Sequence, residues 1–276
     1  MSFLKHNDFN IKYIVDGDLK SDKEIIILVN GIMMSTLSWE IFKESLSENN
    51  TLIRFDMIDQ GESSKSETNY TLDLQVEVLN TLINELKLKK VNLVGISYGA
   101  SVALKYSIKY PDTVKKLILA NGVAKTSSWL KAIGDGWNQV SESRDGLAYY
   151  NISIPYIYSP KFYTENIEWM EERKKILVPL FRNPLFLDSM VRLTKSSETH
   201  DTTDSLHTIN ANTLIISSEY DFLTPAFEQQ YLNENIKNSK LIHLPNAGHA
   251  SMYEEPELFT ALILGFINST NIPKII

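Results

Sequence analysis

Residues 91–99 read VNLVGISYG, and the reading of this stretch decides the fold. A short apolar run, as expected of a strand buried on both faces, leads into Gly95, Ile96, Ser97, Tyr98 and Gly99. A helical pattern follows at once: from Tyr98 to Tyr110 it brings Ala100, Ala103, Leu104 and Ser107 to one side before Pro111 ends it. A serine on a sharp strand-to-helix turn tolerates no bulk two positions to either side, because backbone and neighbouring elements approach there. Glycine stands at both positions. Such a turn lifts the hydroxyl above the sheet, and the helix start offers unpaired N–H groups and a positive dipole end to a developing oxyanion. Ser97 is the candidate nucleophile; the competing reading is a tight turn and nothing more.

A nucleophilic serine needs a base, and the base needs an orienting acid. His249 sits in LPNAGHASMYEEP, read as a loop between an apolar strand over 240–244 and a helix beginning near Glu254. Loops at strand ends let side chains converge on a shared site. The other histidines fit less well: His6 lies near the N-terminus, His200 and His207 in a polar stretch, and His243 inside a strand pattern. For the acid, TLIISSEYDFLTP puts Asp221 just past another apolar strand, with Pro225 opening the next helix. Glu219 is the rival carboxylate, but a position beyond the strand end reaches an imidazole more readily. The order Ser97, Asp221, His249 is then complete.

Outward from these motifs the chain alternates between strand and helix. Residues 3–16 suggest an N-terminal strand pair, and buried strands follow near 25–30, 51–56, 91–96, 116–121, 213–218 and 240–244. Over 71–88, Val76, Leu79, Ile83 and Leu86 recur at helical spacing, with Thr71 as N-cap. This alternation predicts a mostly parallel, doubly wound α/β sheet covered on both faces. Between about 123 and 210 the rhythm breaks, and a connection that long needs structure of its own. We read it as a helical cap, residues 123–210, inserted into a core formed by 1–122 and 211–276. Its aromatic residues include Trp129, Trp137, Trp169, Tyr149, Tyr150, Tyr156, Tyr158, Phe162, Tyr163, Phe181 and Phe186. They could line an apolar pocket above Ser97, although a buried aromatic more often packs helices together.

The chain resembles the α/β-hydrolase superfamily, serine-nucleophile branch, along nearly its whole length. The matching pieces are LVNGIMMSTLSWE (28–40), IRFDMIDQGESSK (53–65), LVGISYGASVAL (93–104), KLILANG (116–122), TLIISSEYDFLTP (213–225) and LPNAGHASMYEEPELF (244–259), in the family's order. The resemblance implies Ser97 as nucleophile, Asp221 as acid, His249 as base, and an oxyanion hole from the backbone N–H groups of Ile32 and Tyr98. Two departures stand out. Asn30-Gly31 replaces the His-Gly of many members, and the loop 57–63 has two acids and no arginine. The Asn-Gly-x-Met turn also resembles that of acyltransferases acting on hydroxyacyl thioesters.

Composition narrows the function classes. A chain of 276 residues can bury one sizeable core. With no cysteine there is no disulfide, thiolate nucleophile or cysteine metal site. A net charge of −7 opposes attraction to nucleic acid, and the mixed run EERKK at 171–175 reads as a solvated helix face. No metal or nucleotide-cofactor motif is present, so neither is expected. The N-terminus lacks a signal pattern and apolar runs such as IIILV are too short to span a bilayer, so a cytoplasmic protein is the default. The sequence thus points to a carboxylesterase-type serine hydrolase acting on a small acyl substrate. The same residues leave open an acyltransferase or thioesterase, and a non-catalytic ligand receptor on the same scaffold. They do not fix the oligomeric state.

Overall fold

Apolar strands shielded on both sides by helices dominate the computed structural model, which describes residues 2–269. β1 (Ser2–His6) and β2 (Phe9–Asp16) form an antiparallel hairpin, and β2 pairs antiparallel with β4 (Asn50–Phe55). Next to β4 lie β3 (Glu24–Val29), β5 (Val91–Ile96), β6 (Val114–Ala120), β7 (Asn212–Tyr220) and β8 (Ser239–Gly248), all parallel. The sheet order is β1-β2-β4-β3-β5-β6-β7-β8. Alternation along the central strands serves two cores. Ile27, Val29, Leu93, Leu117 and Leu119 join one, while Ile26, Leu28, Val94, Ile118 and Ala120 join the other. Helices α2 (Leu72–Glu85) and α3 (Tyr98–Lys109) pack on the first. A 3₁₀ turn at Thr36–Phe42, with α1 (Lys43–Ser47), contributes Trp39, Phe42 and Leu46 to the second. A strand buried on both faces therefore reads as continuously apolar.

Two boundaries and one cap contact differ from the sequence reading for identifiable reasons. β8 continues past Leu244 to Gly248, after a register shift between Ser218 and Tyr220 that lets Tyr220 pair with Gly248. The strand lies at the sheet edge, so its exposed residues Pro245 and Asn246 break the apolar pattern without ending the ladder. The helix expected near Glu254 is two helices, α10 (Ser251–Glu254) and α11 (Pro256–Asn268), because proline at the first position of α11 closes one and starts the other. Thr71 occupies the N-cap position of α2, but its hydroxyl meets Asp73 rather than a backbone N–H.

Between β6 and β7 come α4 (Ser128–Ser141), α5 (Gly146–Ile157), α6 (Pro160–Glu165), α7 (Ile167–Phe181) and α8 (Pro184–Ser197). The chain enters and leaves this insertion side by side. Lys125 and Asp201 form an antiparallel bridge, Thr126 N–H donates to His200 O at 2.9 Å, and Thr202 N–H donates to Ala124 O at 2.9 Å. Higher up, Arg192 of α8 forks onto the buried Asp59 with contacts of 2.6–3.1 Å, and Ser196 meets the Tyr98 hydroxyl at 2.7 Å. Ala250 N–H donates to Ile157 O at 2.8 Å, which ties α5 to the segment after β8. Helix α9 (Ala226–Asn235) follows β7, with Pro225 at its N-cap.

Candidate active site

Ser97 joins β5 to α3 at φ 53° and ψ −117°, a conformation outside both helix and strand. The glycines around it are dictated by space. A Cβ on Gly95 would lie 2.5 Å from Gly99 O, and one on Gly99 would lie 2.1 Å from Val29 O. Both obstacles are backbone and cannot swing aside, so the turn closes only with hydrogen at these positions. Tyr98 is the first residue of α3, so its N–H belongs to the end group that helices leave without an intrahelical acceptor.

His249 directly follows β8, and Asp221 directly follows β7, so the register of two neighbouring strands brings them together. Asp221 Oδ2 accepts from His249 Nδ1 at 2.7 Å. The carboxylate only accepts, so Nδ1 carries the proton and Nε2 is left to accept from Ser97 Oγ, also at 2.7 Å. Asp221 is buried and takes further hydrogen bonds from Leu223 N–H (2.9 Å), Thr224 N–H (2.8 Å), Thr224 Oγ1 (2.8 Å) and Asn121 Nδ2 (2.6 Å). Burial pushes its carboxyl up, but the adjacent His249 and these donors outweigh it and hold the group below the ordinary carboxylate range. An imidazole held between such a carboxylate and a hydroxyl can take the hydroxyl proton as oxygen attacks a carbonyl.

Glu219 points its carboxylate elsewhere, accepting from Asn246 N–H at 2.8 Å. The remaining histidines also have other surroundings: His6 contacts Thr81, His243 contacts Ser217, and the buried His200 donates through Nε2 to Val123 O. Asn121 was not singled out by the sequence. Its side chain holds Asp221 and Ser218 and accepts from Ser251, and the only sequence trace of this is an Asn-Gly turn at the end of β6.

The two departures from the family pattern have local answers. Asn30 is fully buried, donates to Phe55 O (2.9 Å) and Gln60 Oε1 (3.0 Å), and accepts from Trp39 Nε1 (2.7 Å). Gln60 in turn donates to Gly31 O at 2.8 Å, which fixes the turn leading to Ile32. Where the loop 57–63 lacks arginine, Lys65 Nζ donates to the carbonyls of Gln60, Gly61 and Ser63 at 2.8, 2.8 and 2.9 Å. Arg192 reaches the same loop from the insertion.

Ser97, His249, Ile32 and Tyr98 line one cavity of about 160 Å³. Of the eleven insertion aromatics named above, three line it: Trp137, Tyr158 and Phe181. Others pack helices together, as Tyr149 does edge-on against Phe181, and Trp129 is half-exposed with Nε1 donating to Phe222 O. The EERKK run is only partly a solvated face. Lys174 and Lys175 pair with Glu171 and Glu172 at the surface, whereas Arg173 lines the cavity. Among the described residues, no three His, Asp or Glu side chains gather as a metal ion would require, and no helix is long and apolar enough to cross a membrane.

Known proteins agree with this architecture. The structure of MGS-M2, an alpha/beta hydrolase enzyme from a Medee basin deep-sea metagenome library, is 55% identical over 100% of both chains, with a TM-score of 0.97. The pimeloyl-[acyl-carrier protein] methyl ester esterase of Nitrosomonas europaea is 24% identical, over 86% of this chain and 92% of its own. An esterase from Exiguobacterium antarcticum, 22% identical with a TM-score of 0.82 over 97% and 99% of the two chains, shares the fold. The model of the alpha/beta hydrolase fold family matches residues 24–256. A match that runs from the first residue of β3 to the first residue of α11 makes this chain a member of the α/β hydrolase fold family.

Proposed function

We propose that the protein is a serine hydrolase that cleaves a carboxylic ester, or a related acyl bond, of a small and largely apolar substrate. The observation that carries this reading is the unbroken line from Asp221 through His249 to Ser97, 2.7 Å at each joint, opening on a cavity with apolar walls. His249 takes the Ser97 proton as Oγ attacks the ester carbonyl, and Asp221 stabilises the resulting imidazolium. The N–H groups of Ile32 and Tyr98 receive the negative oxygen of the tetrahedral intermediate. His249 then gives its proton to the leaving alcohol, and an acyl group remains on Ser97. Water attacks that acyl group with His249 again as base, releasing the acid and restoring the serine.

The same reading makes residues 123–210 a cap and residues 1–122 and 211–276 the core, of which Met1 and residues 270–276 lie outside the described part. Esterases among the relatives support ester cleavage over the transfer of acyl groups to other acceptors. The test is covalent labelling by a serine-directed fluorophosphonate. The wild-type protein should label once, and Ser97→Ala should not label while keeping its Tm. Label found on another serine in the variant would overturn the assignment.

A further inference from the structure

The cavity over Ser97 is lined by a cation that no carboxylate among the described residues answers. Arg54 pairs with Asp16 and Glu40, Arg144 with Asp188, and Arg192 with Asp59. Arg173 pairs with none among the described residues, and its Nε is buried without an acceptor. Three rings hold the guanidinium in place: its central carbon lies 4.6 Å from the centroid of Tyr253, 5.2 Å from Trp169 and 5.9 Å from Tyr158. Aromatic faces stabilise the positive charge, but they leave the directional N–H donors unmet. Tyr253 lies four residues beyond His249, so this cage adjoins the proposed base.

A second donor in the same wall is also unmet. Trp137 Nε1 is buried without an acceptor, and it lines the cavity with Arg173. Two N–H groups without acceptors around one cavity describe a ligand rich in acceptors. The other charges of the lining are already answered: Lys131 and Glu198 face each other at 3.8 Å, and Asp135 is exposed to water.

We propose that Arg173 binds a carboxylate carried by the substrate, so that the preferred substrates are half-esters of short dicarboxylic acids. This rests on the hydrolase reading above and narrows its substrate class. A guanidinium approached from the side presents Nε–H and one Nη–H as a parallel pair, the spacing of two carboxylate oxygens. A cavity of about 150 Å³ takes up benzene, so one of about 160 Å³ accommodates a spacer of roughly six heavy atoms or fewer between the ester and the charge. The apolar wall packs the spacer, and Arg173 fixes its far end.

The experiment compares monomethyl glutarate with methyl 4-carbamoylbutanoate, the amide of the same shape and no charge. In the wild type, kcat/KM should favour the acid by roughly ten- to hundredfold, the range of a charge-assisted hydrogen bond. Arg173→Gln should bring that ratio to about one, and Arg173→Lys, which keeps the charge but loses the fork, should restore part of it. If the wild type shows no preference, or if Arg173→Gln slows both substrates equally and leaves the ratio intact, Arg173 is a brace between α7 and α10 and the proposal is wrong. Calorimetric titration with glutarate reads the subsite without turnover. Binding that Arg173→Gln abolishes sustains the proposal even if no ester is hydrolysed, in which case the hydrolase reading alone fails. Absence of glutarate binding together with absence of a charge preference overturns the subsite.

Discussion

In β5 every residue is buried, whereas in α7 Ile176 is 71% exposed and Ile167, Trp169 and Leu180 each show about half of that or more. Both segments are rich in apolar side chains, yet only in the sheet does being apolar mean being inside. A strand between two helical layers has no outward face, so its composition reports its position. A helix on the insertion faces three environments: its neighbours, the cavity and solvent. Tyr149, Tyr158 and Trp169 represent packing against a neighbour, lining of the cavity and partial exposure, and nothing in their spacing tells them apart.

The contrast can be broken or sharpened by experiment. The largest effect belongs to the sheet side, where Asp221→Asn should lower kcat by about four orders of magnitude, because the imidazole loses the carboxylate that orients it. The same variant has a pH signature. The Asp221 pKa is lowered in the folded protein, so its ionised form contributes stability above the ordinary carboxylate pKa, and that contribution fades as pH falls through the lowered value. The difference in Tm between wild type and Asp221→Asn should therefore narrow below about pH 4. A gap constant from pH 7 to pH 3 would show that the carboxylate contributes nothing through its charge.

Glycines give the next test. Gly99→Ala drives a methyl into Val29 O and should lower Tm by roughly 6 °C or more. Gly136→Ala, within α4 and with nothing inside 4 Å, should raise Tm by roughly 2–4 °C, since alanine is the better helix former by about 1 kcal/mol. Equal effects would mean that insertion and core are packed alike. Where the two meet, Arg192→Ala leaves the buried Asp59 without its ion-pair partner, with Ser66 N–H and Ser189 Oγ still donating to it, and should cost about 3 kcal/mol in chemical denaturation. Lys175→Ala, at an exposed pair on α7, should not measurably change the midpoint.

The smallest effect on catalysis concerns the cavity wall. Neutral methyl esters should gain about 0.8 kcal/mol in transition-state binding for each methylene added from acetate upward, until the cavity is full. A flat series from acetate to octanoate would mean that Trp137, Tyr158 and Phe181 are packing rather than pocket.

What the sequence disclosed follows the same division. The succession of core strands rested on apolar runs separated by helical patterns, and the candidates Ser97, Asp221 and His249 could be picked out because each sits at a strand end with its own local signal. Ile32 was reached through resemblance, since a backbone donor leaves no trace in residue type. Asn121 was legible only as half of a turn, because its contacts to Asp221 and Ser251 span 100 and 130 residues. Arg173 was masked by its neighbours. A cation inside a run of mixed charges looks solvated until the fold turns that one side chain toward three aromatic rings.

The paired crossing at Ala124 to Thr126 and His200 to Thr202 has an evolutionary meaning. Because the chain departs and returns through adjacent backbone positions, the sheet below meets the same two anchor points whatever lies between residues 126 and 200. Replacing that stretch by recombination leaves the strand register, and with it the Asp221 to His249 spacing, untouched. New chemistry at the mouth of the site can be sampled there by exchanging a single continuous segment of coding sequence, at the cost of re-forming the contacts above the crossing, among them the Ile157 to Ala250 backbone bond, the Arg192 to Asp59 pair and the apolar packing on the core.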